Sequence, residues 1–215
     1  MRPPPSTVYL VRHATPDWAR TDLIYHLPPG PPLTEQGQRE AAQLGDFLRD
    51  MGVRAVRASP LERCWRTAEI AAGVAGAEWQ VDQRLAEWRP EEKPPDVLAR
   101  VWPVCLEASE AEAPMALVTH GGPIGAVLAE LGLEARQLAH YQGQFDRRNP
   151  LPPAGAWRAV RPAPDEPWAL ELAFTPEQHR ARQSRTPPQP SPAENRGAGP
   201  LAGRAAVPSP RWRGD

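Results

Sequence analysis

Cysteine is nearly absent: Cys64 and Cys105 are the only two in 215 residues. Each sits in an apolar or helical context, so the expectation is two reduced, packed thiols and a cytoplasmic setting rather than a disulfide. Long hydrophobic runs are also missing. The amino-terminal stretch MRPPPSTVYLVRHA holds three prolines and one short apolar run, too little for a signal-peptide core or a membrane span. The nucleotide-binding spacings G-x-x-x-x-G-K-S/T and G-x-G-x-x-G do not occur, and neither do the i, i+4 or short Cys/His spacings of zinc sites. No cofactor, no metal and no membrane partner are therefore expected. Positive charge is scarce where a nucleic acid would need it. The chain carries −1 in total, yet residues 180–215 hold seven arginines against Glu194 and Asp215, which leaves the preceding 179 residues at −6. An acidic body argues against a nucleic-acid surface, and the basic tail alone is weak evidence for one.

What is present is a repeated grammar of apolar strand, polar strand end and helix. Thr7–Val11 is β-branched and continuously apolar, a buried strand that ends at Arg12-His13. A proline-rich loop follows. Thr34 then offers an N-cap with Gly37 at the third helical position, and Ala41, Leu44, Phe47, Leu48 and Met51 form one stripe of a helix stopped at Gly52. Val53–Ala58 reads as a second strand, with Ser59 as N-cap and Pro60 as first residue of a helix reaching about Gly73. Glu78–Val81 reads as a short edge strand. Residues 96–109 have helical periodicity, with Pro103 expected to kink or shorten the helix. Met115–Thr119 is a third buried strand ending at His120-Gly121-Gly122, with a helix over Pro123–Leu131, and Ala156–Val160 and Ala169–Phe174 close the series. The pattern predicts a three-layer α/β/α sandwich with a mostly parallel central sheet over residues 1–178. Residues 179–215, rich in Pro, Arg, Ser and Gly, are expected to be a disordered tail, because they carry too little apolar surface to offset chain ordering.

In such sheets ligands bind beyond the strand carboxyl ends. Three of these ends carry Arg12-His13, Ser59 leading to Arg63, and His120-Gly121. Planar guanidiniums suit phosphate oxygens, helix amino ends add backbone donors, and a neutral imidazole can attack phosphorus to form a phosphohistidine.

These residues resemble the histidine phosphatase superfamily, also called the phosphoglycerate mutase-like family. Its opening Arg-His-Gly reads Arg12-His13-Ala14 here. Its Ser-Pro-Leu-x-Arg-x-x-x-Thr-Ala element reads Ser59-Pro60-Leu61-Glu62-Arg63-Cys64-Trp65-Arg66-Thr67-Ala68, and its Ser/Thr-His-Gly-Gly reads Thr119-His120-Gly121-Gly122. Leu33-Thr34-Glu35-Gln36-Gly37 is similar to the family's loop-to-helix junction. The resemblance implies His13 as the phosphorylated nucleophile, Arg12 and Arg63 as phosphate clamps and His120 as the second pocket histidine. Asp82–Glu87 is similar to the family segment ending Leu-x-Glu, which makes Glu87 the candidate proton donor. Trp18, in the loop beside the nucleophile, is a candidate pocket wall, and Gly121 a candidate substrate contact.

The chain departs from the pattern at Ala14, at Ala19 where many mutase-like members carry Asn, and after Glu87, where Trp88-Arg89-Pro90 replaces Gly-x-Trp-Glu-Gly. Little chain is left there for a large substrate cap. The expectation is a metal-independent phosphatase acting on a small phosphorylated metabolite or a phosphoprotein. A phosphate-binding module without turnover is the alternative, and phosphoglycerate mutase activity a further one.

Overall fold

A computed structural model describes residues 6–163 and 165–183. Six strands form one sheet in the order β3-β2-β4-β1-β5-β6: β1 (Ser6–Arg12), β2 (Ala55–Ala58), β3 (Glu78–Val81), β4 (Met115–Thr119), β5 (Ala156–Arg161) and β6 (Ala169–Phe174). The first four strands run parallel to their neighbours, and β5 and β6 join antiparallel beyond β1. The helices are α1 (Glu35–Asp50), α2 (Glu62–Ala75), α3 (Pro94–Ser109), α4 (Gly121–Glu130), α5 (Ala135–Gln144) and α6 (Glu177–Gln183).

Strand alternation decides which helices cover which face. Tyr9 and Val11 of β1 point to one side, where Leu44 and Leu48 of α1 and Ala68, Ala71 and Ala72 of α2 pack. Val8 and Leu10 point to the other, against Val97, Val101 and Val104 of α3 and Ile124, Val127 and Leu128 of α4. Both faces of β1 are therefore buried, which explains its unbroken apolar run. The result is a three-layer α/β/α sandwich. No helix among the described residues is long and apolar enough to cross a membrane, and both cysteines are free and buried.

Three local expectations are corrected. Ser59 does not cap α2; the cap position is Leu61, and the Glu62 amide donates to the carbonyl of Pro29 at 2.8 Å. The proline-rich loop thus supplies what a capping side chain would. Pro103 does not interrupt α3, which runs for 16 residues. It lies on the exposed face with Ala99, whose carbonyl loses its i+4 donor where water can reach it, while the valines hold the opposite face. The expected domain boundary at residue 178 falls inside a helix, α6. α6 docks on α1, with the Glu177 amide donating to Gln43 Oε1 and His179 paired with Glu40. The rest of the expected tail, from 184 to 215, lies outside the described residues. α5 escaped the sequence reading because none of its residues is fully buried and only Leu138 and Tyr141, partly buried against the core, mark its inner face.

Candidate active site

The sheet order places β2, β4 and β1 side by side, so their carboxyl ends deliver Ser59, His120 and His13 to one spot. Ladder bonds continue across the junction: His13 N–H donates to Thr119 O at 3.0 Å, and Ser59 N–H to Val118 O at 2.9 Å. Behind them, Thr67 of α2 accepts from the Ala14 amide at 3.0 Å and donates to Arg63 O at 2.6 Å. One hydroxyl thereby couples the strand end that carries His13 to the helix that carries Arg63.

His13 and His120 lie with ring centroids 5.3 Å apart. His13 Nδ1 is 2.8 Å from Ala14 O. A carbonyl can only accept, so Nδ1 carries the proton and the lone pair is on Nε2. Burial, followed by the charges of Arg63 and Arg12, pushes His13 well below 6.5 and keeps the ring neutral. His120 is lowered in the same way, by burial first and then by Arg63 and His13. Its Nε2 shares a 2.8 Å hydrogen bond with Ser59 Oγ. Ser59 therefore orients the second histidine instead of capping a helix.

Arg12 and Arg63 are 2% and 0% exposed. Arg12 grips Asp146 through both terminal nitrogens at 2.6 and 2.9 Å. Arg63 donates to Tyr25 O at 2.8 Å, stacks 3.8 Å over the Tyr25 ring and reaches Glu87 Oε2 at 3.4 Å. The Nε of each arginine finds no acceptor among the described residues. Arg57 and Arg158, away from this centre, show the same unfilled Nε, so what distinguishes Arg12 and Arg63 is their burial beside two histidines, where a guanidinium suits an anion.

Glu87 faces this centre, with Oε2 3.2 Å from His120 Nδ1 and Oε1 accepting from Trp88 N–H at 2.9 Å. Burial raises its pKa above the usual carboxylate range, outweighing the Trp88 amide and the charges of Arg63 and Arg12. The carboxyl thus holds its proton to higher pH than an exposed glutamate, as an acid for a leaving group requires. Cys64 touches His120 with Sγ 3.4 Å from Nε2, but burial pushes its thiol up to about 12, so it remains protonated.

Trp18 is one ring removed from His13. It stacks on Tyr25 at 5.0 Å between centroids, and the Tyr25 hydroxyl meets His13 Nε2 at 3.3 Å. Gly121 is packed against Asn149, whose Oδ1 would stand 1.4 Å from any added Cβ. Tyr25 and Asp146 are the two contacts that sequence reasoning missed. Both belong to irregular segments without periodicity, and the aromatic pair Trp18/Tyr25 in a proline-rich loop is the only signal that pointed to either. Among the described residues no group of three His, Cys, Asp or Glu side chains could hold a metal ion.

Residues 8–90 match the model of the histidine phosphatase superfamily (branch 1). An Erwinia tasmaniensis protein named "Probable phosphoglycerate mutase GpmB" is 42% identical over 80 residues, covering 37% of each chain. The matched stretch therefore spans little more than a third of that relative's length. Among solved structures, a mycobacterial glucosyl-3-phosphoglycerate phosphatase is 20% identical over 80% of this chain and 100% of its own, with a TM-score of 0.60. The phosphoglycerate mutase of Bacillus anthracis is 15% identical over 85% of this chain and 98% of its own, with a TM-score of 0.63. These structural likenesses establish the fold, and the sequence match shows that residues 8–90, less than half of the chain, are similar to the histidine phosphatase superfamily.

Proposed function

We propose that this protein is a metal-independent phosphatase that hydrolyses a phosphomonoester, or a protein phosphohistidine, through a covalent phosphohistidine on His13. The observation that carries this reading is the neutral, buried His13, whose Nδ1 proton on Ala14 O leaves the lone pair on Nε2, in the electrostatic reach of the two buried arginines Arg63 and Arg12. Entry of a phosphoryl group displaces the Tyr25 hydroxyl from Nε2 and the Asp146 carboxylate from Arg12. Nε2 then forms a bond to phosphorus as the phosphorus–oxygen bond to the leaving group breaks, and the Glu87 carboxyl gives that oxygen its proton. Arg12, Arg63 and His120 stabilise the charge on the equatorial oxygens. In the second transfer the Glu87 carboxylate takes a proton from water, whose oxygen bonds to phosphorus while the phosphorus–nitrogen bond breaks. Inorganic phosphate leaves, and His13 is again neutral.

A phosphate-binding module without turnover is favoured by one feature, the occupation of Arg12 and His13 by Asp146 and Tyr25. The inward orientation of Glu87 speaks for turnover. Mutase activity has less support, since only α3 and its flanking turns separate Glu87 from β4. The test is hydrolysis of p-nitrophenyl phosphate in EDTA by wild type and His13→Ala, with recovery of an acid-labile, alkali-stable phosphoenzyme. Chelator-resistant turnover that His13→Ala abolishes supports the mechanism. Activity surviving in His13→Ala refutes it, and phosphate binding without turnover on any ester supports the binding module.

A further inference from the structure

The backbone that carries Glu87 is held at every carbonyl from Arg84 to Glu87. Thr119, the residue before His120, donates from Oγ1 to Leu85 O at 2.7 Å. The other three carbonyls go to one side chain, Arg100 of α3. Its Nη1 donates to Arg84 O at 2.8 Å and to Ala86 O at 2.7 Å, and its Nη2 to Glu87 O at 3.1 Å. Nε and Nη2 also grip the Glu92 carboxylate, at 2.7 and 3.0 Å. A guanidinium offers about five N–H donors in one fixed plane, so these contacts engage the whole group on residues 84–92.

Glu92 closes the far end of the same segment. Its Oε2 accepts from the Arg89 amide at 2.8 Å, and its carbonyl from Trp88 Nε1 at 2.9 Å. Hydrogen bonds from Arg100, ahead of the Arg89 amide, hold the Glu92 carboxyl below its usual range, so the pair is ionic. The chain lacks the Gly-x-Trp-Glu-Gly continuation after Glu87, and residues 87–92 fold around this ion pair instead. From that clamp the Glu87 side chain reaches into the centre, with Oε2 3.2 Å from His120 Nδ1 and 3.4 Å from Arg63 Nη2. The donors of Arg100 are taken by backbone and by Glu92, so it acts on the chemistry through Glu87.

We infer that Arg100, with Glu92 as its counter-ion, is the positioning residue of the proton donor: it fixes the backbone from which Glu87 reaches the leaving oxygen. This rests on the phosphatase reading above and adds to it the device that aims the acid. A general acid must lie within hydrogen-bond reach of the oxygen it protonates, and a misplacement of about 1 Å can cost roughly 10²-fold in rate. The Glu87 side chain is flexible, so its aim is no better than that of the backbone beneath it. Arg63 of α2, Arg12 of β1 and His120 at the end of β4 face the carboxyl from elements that Arg100 does not hold.

Arg100→Lys keeps the charge on α3 but gathers its donors on one nitrogen, which cannot reach acceptors spread over residues 84–92. It is assayed beside wild type on glycerol 3-phosphate, whose alkoxide needs the acid, and on p-nitrophenyl phosphate, which needs it little. For the alkyl ester kcat should fall about 10²-fold with KM little changed, and for the aryl ester the loss should stay within about tenfold. Adding Arg100→Lys to Glu87→Gln should bring no further loss on the alkyl ester, because the proton that Arg100 aims is already gone. Glu92→Gln, a milder change that serves if Arg100→Lys does not fold, should give the same split at smaller size. Equal losses on both esters, losses that multiply with Glu87→Gln, or wild-type rates in both variants overturn the role. Carboxyl-carbon NMR reads the position of Glu87 without turnover. Its signal, assigned by its loss in Glu87→Gln, should titrate at lower pH in Arg100→Lys than in wild type, because burial is what raises it. If wild type hydrolyses neither ester, that shift upholds the positioning role and only the phosphatase reading falls. No shift in that case overturns the positioning role as well.

Discussion

Replacing Glu87 with Gln tests whether this side chain is the acid or merely lines the centre. The substitution keeps the shape and leaves a carbonyl to accept from the Trp88 amide, now 2.9 Å from Glu87 Oε1. It removes the transferable proton. General acid catalysis contributes about 10²–10⁴ in rate, or roughly 3–5 kcal/mol of barrier at 1.36 kcal/mol per factor of ten. That whole contribution is required only where the leaving oxygen is strongly basic. For an alkyl phosphate such as glycerol 3-phosphate, kcat/KM should therefore fall by ~10²–10⁴. For p-nitrophenyl phosphate, whose phenolate departs with little help, the loss should stay within about tenfold. The pH profile gives a second readout. Burial raises the Glu87 pKa above the usual carboxylate range, so kcat/KM for the alkyl ester should decline as pH rises through that raised value, and Glu87→Gln should erase the decline. Both esters are assayed with wild type and variant over a pH series. Equal losses on the two esters, or a pH profile unchanged by the substitution, would show that Glu87 acts by charge or packing and would end its assignment as the acid.

Tyr25→Phe keeps the ring under Arg63 and beside Trp18 but deletes the hydroxyl on His13 Nε2. Since phosphate must displace that contact, and a hydrogen bond contributes about 0.5–1.5 kcal/mol net, KM for p-nitrophenyl phosphate should drop by roughly two- to tenfold; an increase would mean the hydroxyl binds substrate. Gly37→Ala would place a Cβ 2.2 Å from Thr15 O, a backbone atom, at the point where α1 meets the chain just after His13. Chemical denaturation should show a loss of about 1–3 kcal/mol, and a change below ~0.5 kcal/mol would mean that this contact readily relaxes. Stability should also fall on mild acidification. His13 and His120 are held well below 6.5 in the folded state, so the unfolded chain takes up protons first as pH drops below 6.5. Each histidine then removes roughly 1–1.5 kcal/mol per pH unit until it protonates in the folded state, while the raised pKa of Glu87 acts in the opposite direction. Thermal melts from pH 7 to 5 read the slope, and a flat melting temperature would contradict the buried neutral pair.

The strands and the four motif residues were legible because each is fixed by local composition. A strand buried on both faces must be continuously apolar, as Val8 to Val11 are, and a polar residue can follow only where the strand leaves the core, which placed Arg12, His13 and His120 at strand ends. Thr34 and Gly37 likewise marked the start of α1 by the geometry of one capping bond, 3.0 Å from Gly37 N to Thr34 Oγ1. The order of the strands decided the rest. Only with β2, β4 and β1 adjacent does Ser59 become a partner of His120 rather than a cap for α2, since Pro29, 33 residues before Glu62, supplies that bond instead. Tyr25 over His13, Asp146 on Arg12 and Arg147 on Trp18 join segments separated by long stretches of chain with no shared periodicity. Hydrophobic patterning records which side of an element faces the core; it carries no record of which loops meet above the sheet, and that meeting sets the electrostatics of this site.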